Sequence, residues 1–302
     1  MFAGAEVMPY AATGGLGDVL GSLPAALSRA YGDEVDVRVV MPLYASIPAE
    51  WREQMKDEAI FTLSLAWRRQ YCGVKSLCRD GVTYYFIDNE YYFGRPALYG
   101  YYDDGERFAY FSKAVIDMMS ELNYYPDILH ANDWQTALAV VYLEKFYRSV
   151  PGYGAIKTVF TIHNIEYQGK FGFEMIDDVF GLPEDSRTLF EYNGGVNLMK
   201  AIVGEQDTTC LNGWDYQMNV FNSCDFSKTD LFVLEYGVND YLSKKPMYDE
   251  NDPDSVYTYF GALESMILDI RNYFPEAQIL VCTPTYAQFW QGGTGAFLGD
   301  SN

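Results

Sequence analysis

An apolar run from Phe2 to Val7 passes into a Pro9-containing turn and then into Thr13-Gly14-Gly15-Leu16-Gly17-Asp18. Leu16, Val19, Leu20 and Leu23 follow at helical spacing. A strand, a glycine turn and a helix start, in that order, confine the head of the chain to an α/β arrangement. The same geometry turns unpaired backbone N–H groups and a positive dipole end toward an anion. Gly14 and Gly15 would let the backbone approach that anion closely, because no Cβ intervenes. A plain strand-to-helix connection uses the same residues, so the rest of the chain has to decide between the two.

Further strand-like runs occur at 35–41, 83–88, 127–130 and 158–163, with helical periodicity over 19–31, 107–122 and 134–147. Strands alternating with crossover helices predict α/β architecture, a Rossmann-like parallel sheet with helices on both faces. Such sheets hold ligands at the carboxyl ends of their strands. His130 and His163, the only two histidines, each end one of these runs and are followed by Asn132-Asp133 and by Asn164. Two equivalent strand ends predict a shared cleft. No third ligand stands at a metal-site spacing, so no metal is expected.

A net charge of -21 excludes nucleic acid and anionic membrane as partners and is compatible with a neutral polysaccharide. No apolar run reaches the roughly 18 residues of a membrane span. No basic segment followed by an apolar core opens the chain, so no secretory leader is expected. Five cysteines without a CxxC spacing read as reduced thiols of a cytoplasmic protein. Residues 1–203 carry 17 basic and 27 acidic side chains, and residues 204–302 carry 4 and 15. That shift, with a change of motif grammar near Val203-Gly204, predicts a boundary there.

Several motifs of the first part carry a family resemblance. They are Thr13-Gly14-Gly15-Leu16-Gly17-Asp18-Val19, Val39-Val40-Met41-Pro42-Leu43-Tyr44, and Phe93-Gly94-Arg95 with Leu98-Tyr99-Gly100. Asp103-Asp104 through Arg107-Phe108 follow, then His130-Ala131-Asn132-Asp133-Trp134-Gln135 and Thr161-Ile162-His163-Asn164 with Tyr167-Gln168-Gly169. The last is Asn193-Gly194-Gly195-Val196-Asn197-Leu198-Met199-Lys200. In kind and order they make residues 1–203 resemble the N-terminal domain of bacterial glycogen synthases and plant starch synthases.

The resemblance implies a retaining glucosyltransferase that moves glucose from ADP-glucose to an α-1,4-glucan, with two Rossmann-like domains facing across a cleft (the GT-B arrangement). It implies same-face attack assisted by the leaving phosphate, with no cofactor beyond the nucleotide-sugar. Thr13, Gly14, Gly15 and Leu16 would meet the nucleotide. His163 and Asp18 would be catalytic, and Tyr99, Asn132, Asp133, Asn164, Tyr167 and Gln168 would bind sugar. The chain departs from the family in three ways. Ala12 stands where the family has a lysine, the first strand starts short, and the family's donor-side domain does not follow residue 203.

After that residue, Asp230 to Tyr241 reads as a buried strand running into Gly237-Val238-Asn239-Asp240. A helical stretch over 256–274 and a strand over 278–282 come next. This grammar resembles the middle of an SGNH (GDSL-type) hydrolase, which implies a smaller, incomplete flavodoxin-like α/β segment with Asn239 at an oxyanion hole. A Ser-His relay is excluded there, because no histidine follows His163. The chain thus reads as an impaired synthase. A non-catalytic glucan-binding module and a carbohydrate esterase of SGNH type are the alternatives.

Overall fold

The computed structural model describes residues 1–164, 166–203, 231–235, 258–273, 278–282, 289–291 and 296–298. The chain divides into two units, Met1–Cys224 and Asp225–Asn302.

In the first unit β1 (Phe2–Ala3) lies between β2 (Arg38–Pro42) and β6 (Ile128–Asn132), parallel to both. Two further parallel strands, β5 (Val82–Asp88) beside β2 and β7 (Lys157–Thr161) beside β6, extend the sheet. An antiparallel pair, β3 (Lys56–Leu65) and β4 (Arg68–Arg79), completes a seven-stranded sheet of order β3-β4-β5-β2-β1-β6-β7. The Rossmann-like α/β class read from the sequence is therefore present, with a largely parallel sheet. The antiparallel pair is an addition to that reading. β3 is an edge strand whose residues alternate between exposed and covered, a pattern that needs only one face in the core.

The first strand is shorter than the apolar run predicts. Gly4 still donates to Val40 O (3.1 Å), but Val7 then pairs with Ala11 across a tight turn. Helix α1 (Gly15–Tyr31) packs so closely on this segment that a Cβ on Gly4 would fall 2.1 Å from Leu20 Cδ1. A Cβ on Gly17 would fall 2.3 Å from that of Ala12. Short helices α2 (Ala49–Arg52) and α3 (Glu90–Phe93) precede the long α4 (Asp104–Glu121) and α5 (Trp134–Tyr142). The steps β1→β2 and β5→β6 cross the sheet in opposite directions. Right-handed crossovers therefore place α1 on one face and α4 on the other, where α4 packs against α5.

Phe108, Phe111, Val115 and Met118 of α4 join Val39, Val40, Met41, Phe86 and Ile87 of the sheet in one buried core. A small sheet of Lys170–Phe171, Gly195–Asn197 and Glu191–Tyr192 follows, with Gly195–Asn197 in the middle.

In the second unit Leu231–Glu235 pairs in parallel with Gln278–Cys282, and the helix Tyr259–Tyr273 connects them. In sequence each strand carries four consecutive apolar residues, Leu231–Leu234 and Ile279–Cys282, as parallel strands commonly do. Phe289–Gln291 and Ala296–Leu298 form an antiparallel pair. Asn239 lies outside the described residues. Among the described residues no helix is long and apolar enough to cross a membrane, and no group of three His, Cys, Asp or Glu could hold a metal.

Candidate functional site

The chain steps outward from β1 in one direction through β2 and β5, and in the other through β6 and β7. The switch point therefore lies between β1 and β6, and the crevice beyond the carboxyl ends of these strands is the ligand site of an open α/β sheet. The loops after β1, β6 and β7 line it.

The β1 side is built around Glu6, a buried residue. Its carboxylate accepts from the backbone N–H groups of Thr13 and Gly14 (3.0 Å for the latter) and from Thr13 Oγ1 (2.9 Å). The Tyr99 hydroxyl donates to it as well. Tyr99 gets there because the loop after α3 is tethered twice. Arg95 forms a two-pronged ion pair with Asp103. The fully buried Arg107 donates to Tyr92 O (2.8 Å) and Leu98 O (3.1 Å) and pairs with Asp104, whose other oxygen accepts from Gly100 N (2.7 Å). The family motifs around Phe93, Tyr99 and Arg107 are thus the scaffold of one loop.

Thr13, Gly14 and Gly15 are exposed, and a Cβ on either glycine would meet nothing within 4 Å. Gly15 and Leu16 open α1, where no intrahelical acceptor precedes their N–H groups. Leu16 is buried in the core, so only its backbone faces the loop. Asp18 is exposed in the first turn, favourably placed on the helix dipole.

On the β6–β7 side Asp133 caps α5 with φ +57° and ψ 176°, a strained conformation for any residue but glycine. Its Oδ1 accepts from His163 N (2.8 Å) and Asn164 N (3.4 Å), while Oδ2 takes no hydrogen bond among the described residues. Burial pushes this carboxyl up to about 6. Asn132, buried at the end of β6, donates to Ala3 O and His130 O (3.1 Å each). Its Oδ1 lies 3.0 Å from His163 Nε2, and since that oxygen only accepts, Nε2 carries the hydrogen. Desolvation lowers His163 to about 4, so the ring is neutral at pH 7. Asn164 Oδ1 accepts from Glu166 N (3.0 Å), and Tyr167 is 62% exposed. Gln168 is buried, and its Oε1 accepts from Asn197 Nδ2 (2.6 Å).

The expected cleft thus gathers Thr13 to Gly15, Tyr99, Asn132, Asp133, His163 and Asn164 around adjacent strand ends. Gln168 is turned inward as a brace. His130, similar in sequence context to His163, lies within β6 and is taken up by Thr161 Oγ1 (2.7 Å) and the Phe2 ring. Sequence reasoning missed Glu6. A single acidic residue between Ala5 and Val7 was the only signal it gave.

A family model described as starch synthase catalytic domain matches residues 1–221. A glycogen synthase of Lactobacillus acidophilus is 48% identical over 202 residues, covering 66% of this chain and 42% of the relative. One from Clostridioides difficile is 38% identical over 272 residues, covering 83% and 56%. An alignment of that reach runs past residue 203. Among solved structures, the catalytic domain of Starch Synthase IV from Arabidopsis thaliana bound to ADP and acarbose matches with a TM-score of 0.62 and 21% identity. That match covers 93% of this chain and 50% of the solved one, and it supports the fold. The chain spans about half the length of the curated relatives it matches. With the family model spanning most of its length and its motifs gathered at one sheet edge, the chain belongs to the starch synthase catalytic-domain family.

Proposed function

We propose that the chain carries the acceptor-side half of a retaining glucosyltransferase of the glycogen/starch synthase type, which moves glucose from ADP-glucose to an α-1,4-glucan. Residues 1–203 form the body of that half, and the family match continues beyond them to residue 221. The crevice at the switch point between β1 and β6 carries the reading. It sets a glycine-opened helix start across from a carboxylate, an imidazole and an amide, the groups that a diphosphate and a sugar need on opposite walls.

In this reading the N–H groups of Gly15 and Leu16 meet the diphosphate. Thr13 and Gly14 shape the loop, because Glu6 already takes their N–H groups. Asp133 Oδ2, His163 and Asn164 receive sugar hydroxyls, Tyr167 offers a ring for stacking, and Asp18 lies at the helix start. Asn132 holds the His163 ring, and Gln168 braces Asn197. Ala12 contributes no cation to the diphosphate, so on its own this half binds and positions with little turnover. The free thiols Cys72 and Cys78 fit a cytoplasmic setting. The hydrolase resemblance of residues 204–302 finds no support in the comparisons, and no esterase is proposed.

Calorimetric titration with ADP-glucose and, separately, with maltoheptaose tests the reading. Binding of both is expected. Glucan without nucleotide would reduce the chain to a glucan-binding module, and binding of neither would overturn the proposal.

A further inference from the structure

The turn between β3 and β4 consists of Ala66 and Trp67, since Leu65 and Arg68 are still paired. Asn and Gly suit such two-residue turns, because their backbone visits positive φ. Here Ala66 sits at φ +50°, a conformation that costs a residue with a Cβ about 1 kcal/mol or more. Gly181, itself at φ +65°, allows the close approach that the turn makes to its neighbour, with Ala66 Cα 3.0 Å from where a Cβ would stand. The strained turn presents a tryptophan that is 72% exposed, an unfavourable place for so much apolar surface.

That ring is nevertheless fixed. Its Nε1–H donates to Asp178 Oδ1 (2.8 Å), and the Arg68 guanidinium stacks 4.4 Å from its centroid. Arg68 is in turn held by Glu106 and Asp178, at 3.0 Å each. Trp67 lines a groove of about 470 Å³ together with Arg68, Arg69, Gln70, Tyr91 and Glu106. Tyr91, at 65% exposed, gives the groove a second aromatic side chain.

We propose that this groove is a second binding site for a neutral oligosaccharide, an α-glucan segment, separate from the crevice between β1 and β6. Three features select that ligand. An indole locked before binding presents an apolar face to a sugar ring without the usual ordering cost. Gln70, Arg69 and Glu106 offer donors and acceptors suited to hydroxyl groups, in a volume typical of small-ligand sites. The charges of Arg68 and Arg69 are balanced by those of Glu106 and Asp178, which leaves no net attraction for a phosphate.

The topology also places the groove. β3 runs parallel to β1, and β4 overhangs the carboxyl end of β5, where Gly73 faces Asp88 and residues 68–72 project beyond. The Ala66-Trp67 turn therefore lies on the same sheet edge as the crevice. Four strand spacings separate the two, about 19 Å across the sheet. A long glucan held at Trp67 would be tethered beside the crevice. The choice of glucan rests on the proposed function, whereas the existence of a sugar site does not.

The test titrates the full chain and its Trp67→Ala, Trp67→Phe and Asp178→Ala variants with maltoheptaose and with ADP-glucose, by calorimetry and tryptophan fluorescence. Trp67→Ala should weaken the groove's maltoheptaose affinity about tenfold and leave ADP-glucose affinity unchanged, as a lost stacking platform would. Trp67→Phe should restore much of the loss, and Asp178→Ala, which frees the ring, should weaken binding less than Trp67→Ala. Maltoheptaose binding by Trp67→Ala equal to that of the parent chain overturns the groove and leaves the crevice reading standing. So does a parent chain that binds ADP-glucose but no maltoheptaose. Maltoheptaose binding that depends on Trp67, without ADP-glucose binding, supports the groove and counts against the donor reading. Loss of ADP-glucose affinity in Trp67→Ala would overturn the neutral-sugar assignment.

Discussion

The two walls of the crevice use the same device to different ends. On each, a buried carboxylate accepts backbone N–H groups of a neighbouring loop, Glu6 from Thr13 and Gly14, Asp133 from His163 and Asn164. Glu6 spreads its contacts over both oxygens, one shared by Thr13 Oγ1 and Tyr99, and is fully engaged. Among the described residues Asp133 places both bonds on one oxygen, leaves the other without one, and holds a strained backbone. A saturated carboxylate is a structural pin. An under-served one, raised by burial, has acceptor capacity left for a ligand.

The largest expected effect sharpens that contrast through pH. His130 and His163 are both lowered from 6.5 to about 4, chiefly by burial, so the unfolded chain binds protons that the folded one does not. Their stabilising contribution is complete above pH 6.5 and is lost as pH falls toward 4. Asp133, raised from 3.8 to about 6, acts oppositely, and its contribution is present at low pH and lost as pH rises through that interval. A tenfold difference in proton affinity between the folded and unfolded chain is worth about 1.4 kcal/mol per group. Two groups outweigh one, so stability should fall between pH 6.5 and 4 by a few kcal/mol. Urea midpoints at several pH values measure this. His163→Gln should flatten the slope and Asp133→Asn should steepen it; an unchanged slope in both would break the contrast.

Asp133→Ala leaves two partly buried N–H groups without an acceptor and puts alanine at φ +57°. It should cost about 2 kcal/mol relative to Asp133→Asn, which bears the same backbone strain but keeps an acceptor for those N–H groups. Denaturant unfolding at pH 7 separates the two. Equal stability would mean that the carboxylate is not what holds the β7 loop.

Much of this arrangement is legible in the sequence, and the rest fails for identifiable reasons. The strand over 278–282 and the helix starting near Gly15 follow from period and composition. The Asn-Asp after His130 and the Asn after His163 mark the strand ends, because polar residues stop an apolar run there. Register is another matter. His130 and His163 look alike in sequence, yet one sits inside β6 against Thr161 and the other lies beyond β7. Only pairing with neighbouring strands decides that. The β3–β4 pair is hidden because edge strands carry many polar residues. Glu6 is hidden because its partners, above all Tyr99, are brought to it by the Arg107–Asp104 and Arg95–Asp103 tethers far along the chain.

The next test concerns the glycines of the β1 wall, which look equivalent in Thr13-Gly14-Gly15-Leu16-Gly17. Gly17→Ala forces a methyl to within 2.3 Å of the Ala12 Cβ, so about 1–3 kcal/mol of overpacking cost is expected. Gly14→Ala meets open space at an extended φ of -158° and should leave thermal stability within about 0.5 kcal/mol. Its effect belongs to the ligand, because the methyl stands in the crevice, and ADP-glucose affinity should fall while maltoheptaose affinity holds. A Gly14→Ala chain that bound ADP-glucose unchanged would move the diphosphate away from the loop.

The smallest effect is expected from Tyr99→Phe. The ring packs against Phe108 (5.8 Å between centroids) and would stay, so only the hydroxyl donated to Glu6 is lost. One hydrogen bond to a charged acceptor that keeps its three bonds from Thr13 and Gly14 is worth about 1.5 kcal/mol. If Glu6 is a pin held from several sides, Thr13 and Gly14 keep it in place and ADP-glucose affinity barely changes. If the tyrosine is what keeps the carboxylate turned inward, its removal frees Glu6 to swing toward the diphosphate, and affinity drops by far more than stability. Comparing the two losses in one variant therefore decides whether the β1 wall is as rigid as its hydrogen bonds imply, or shares the spare capacity of the wall that carries Asp133.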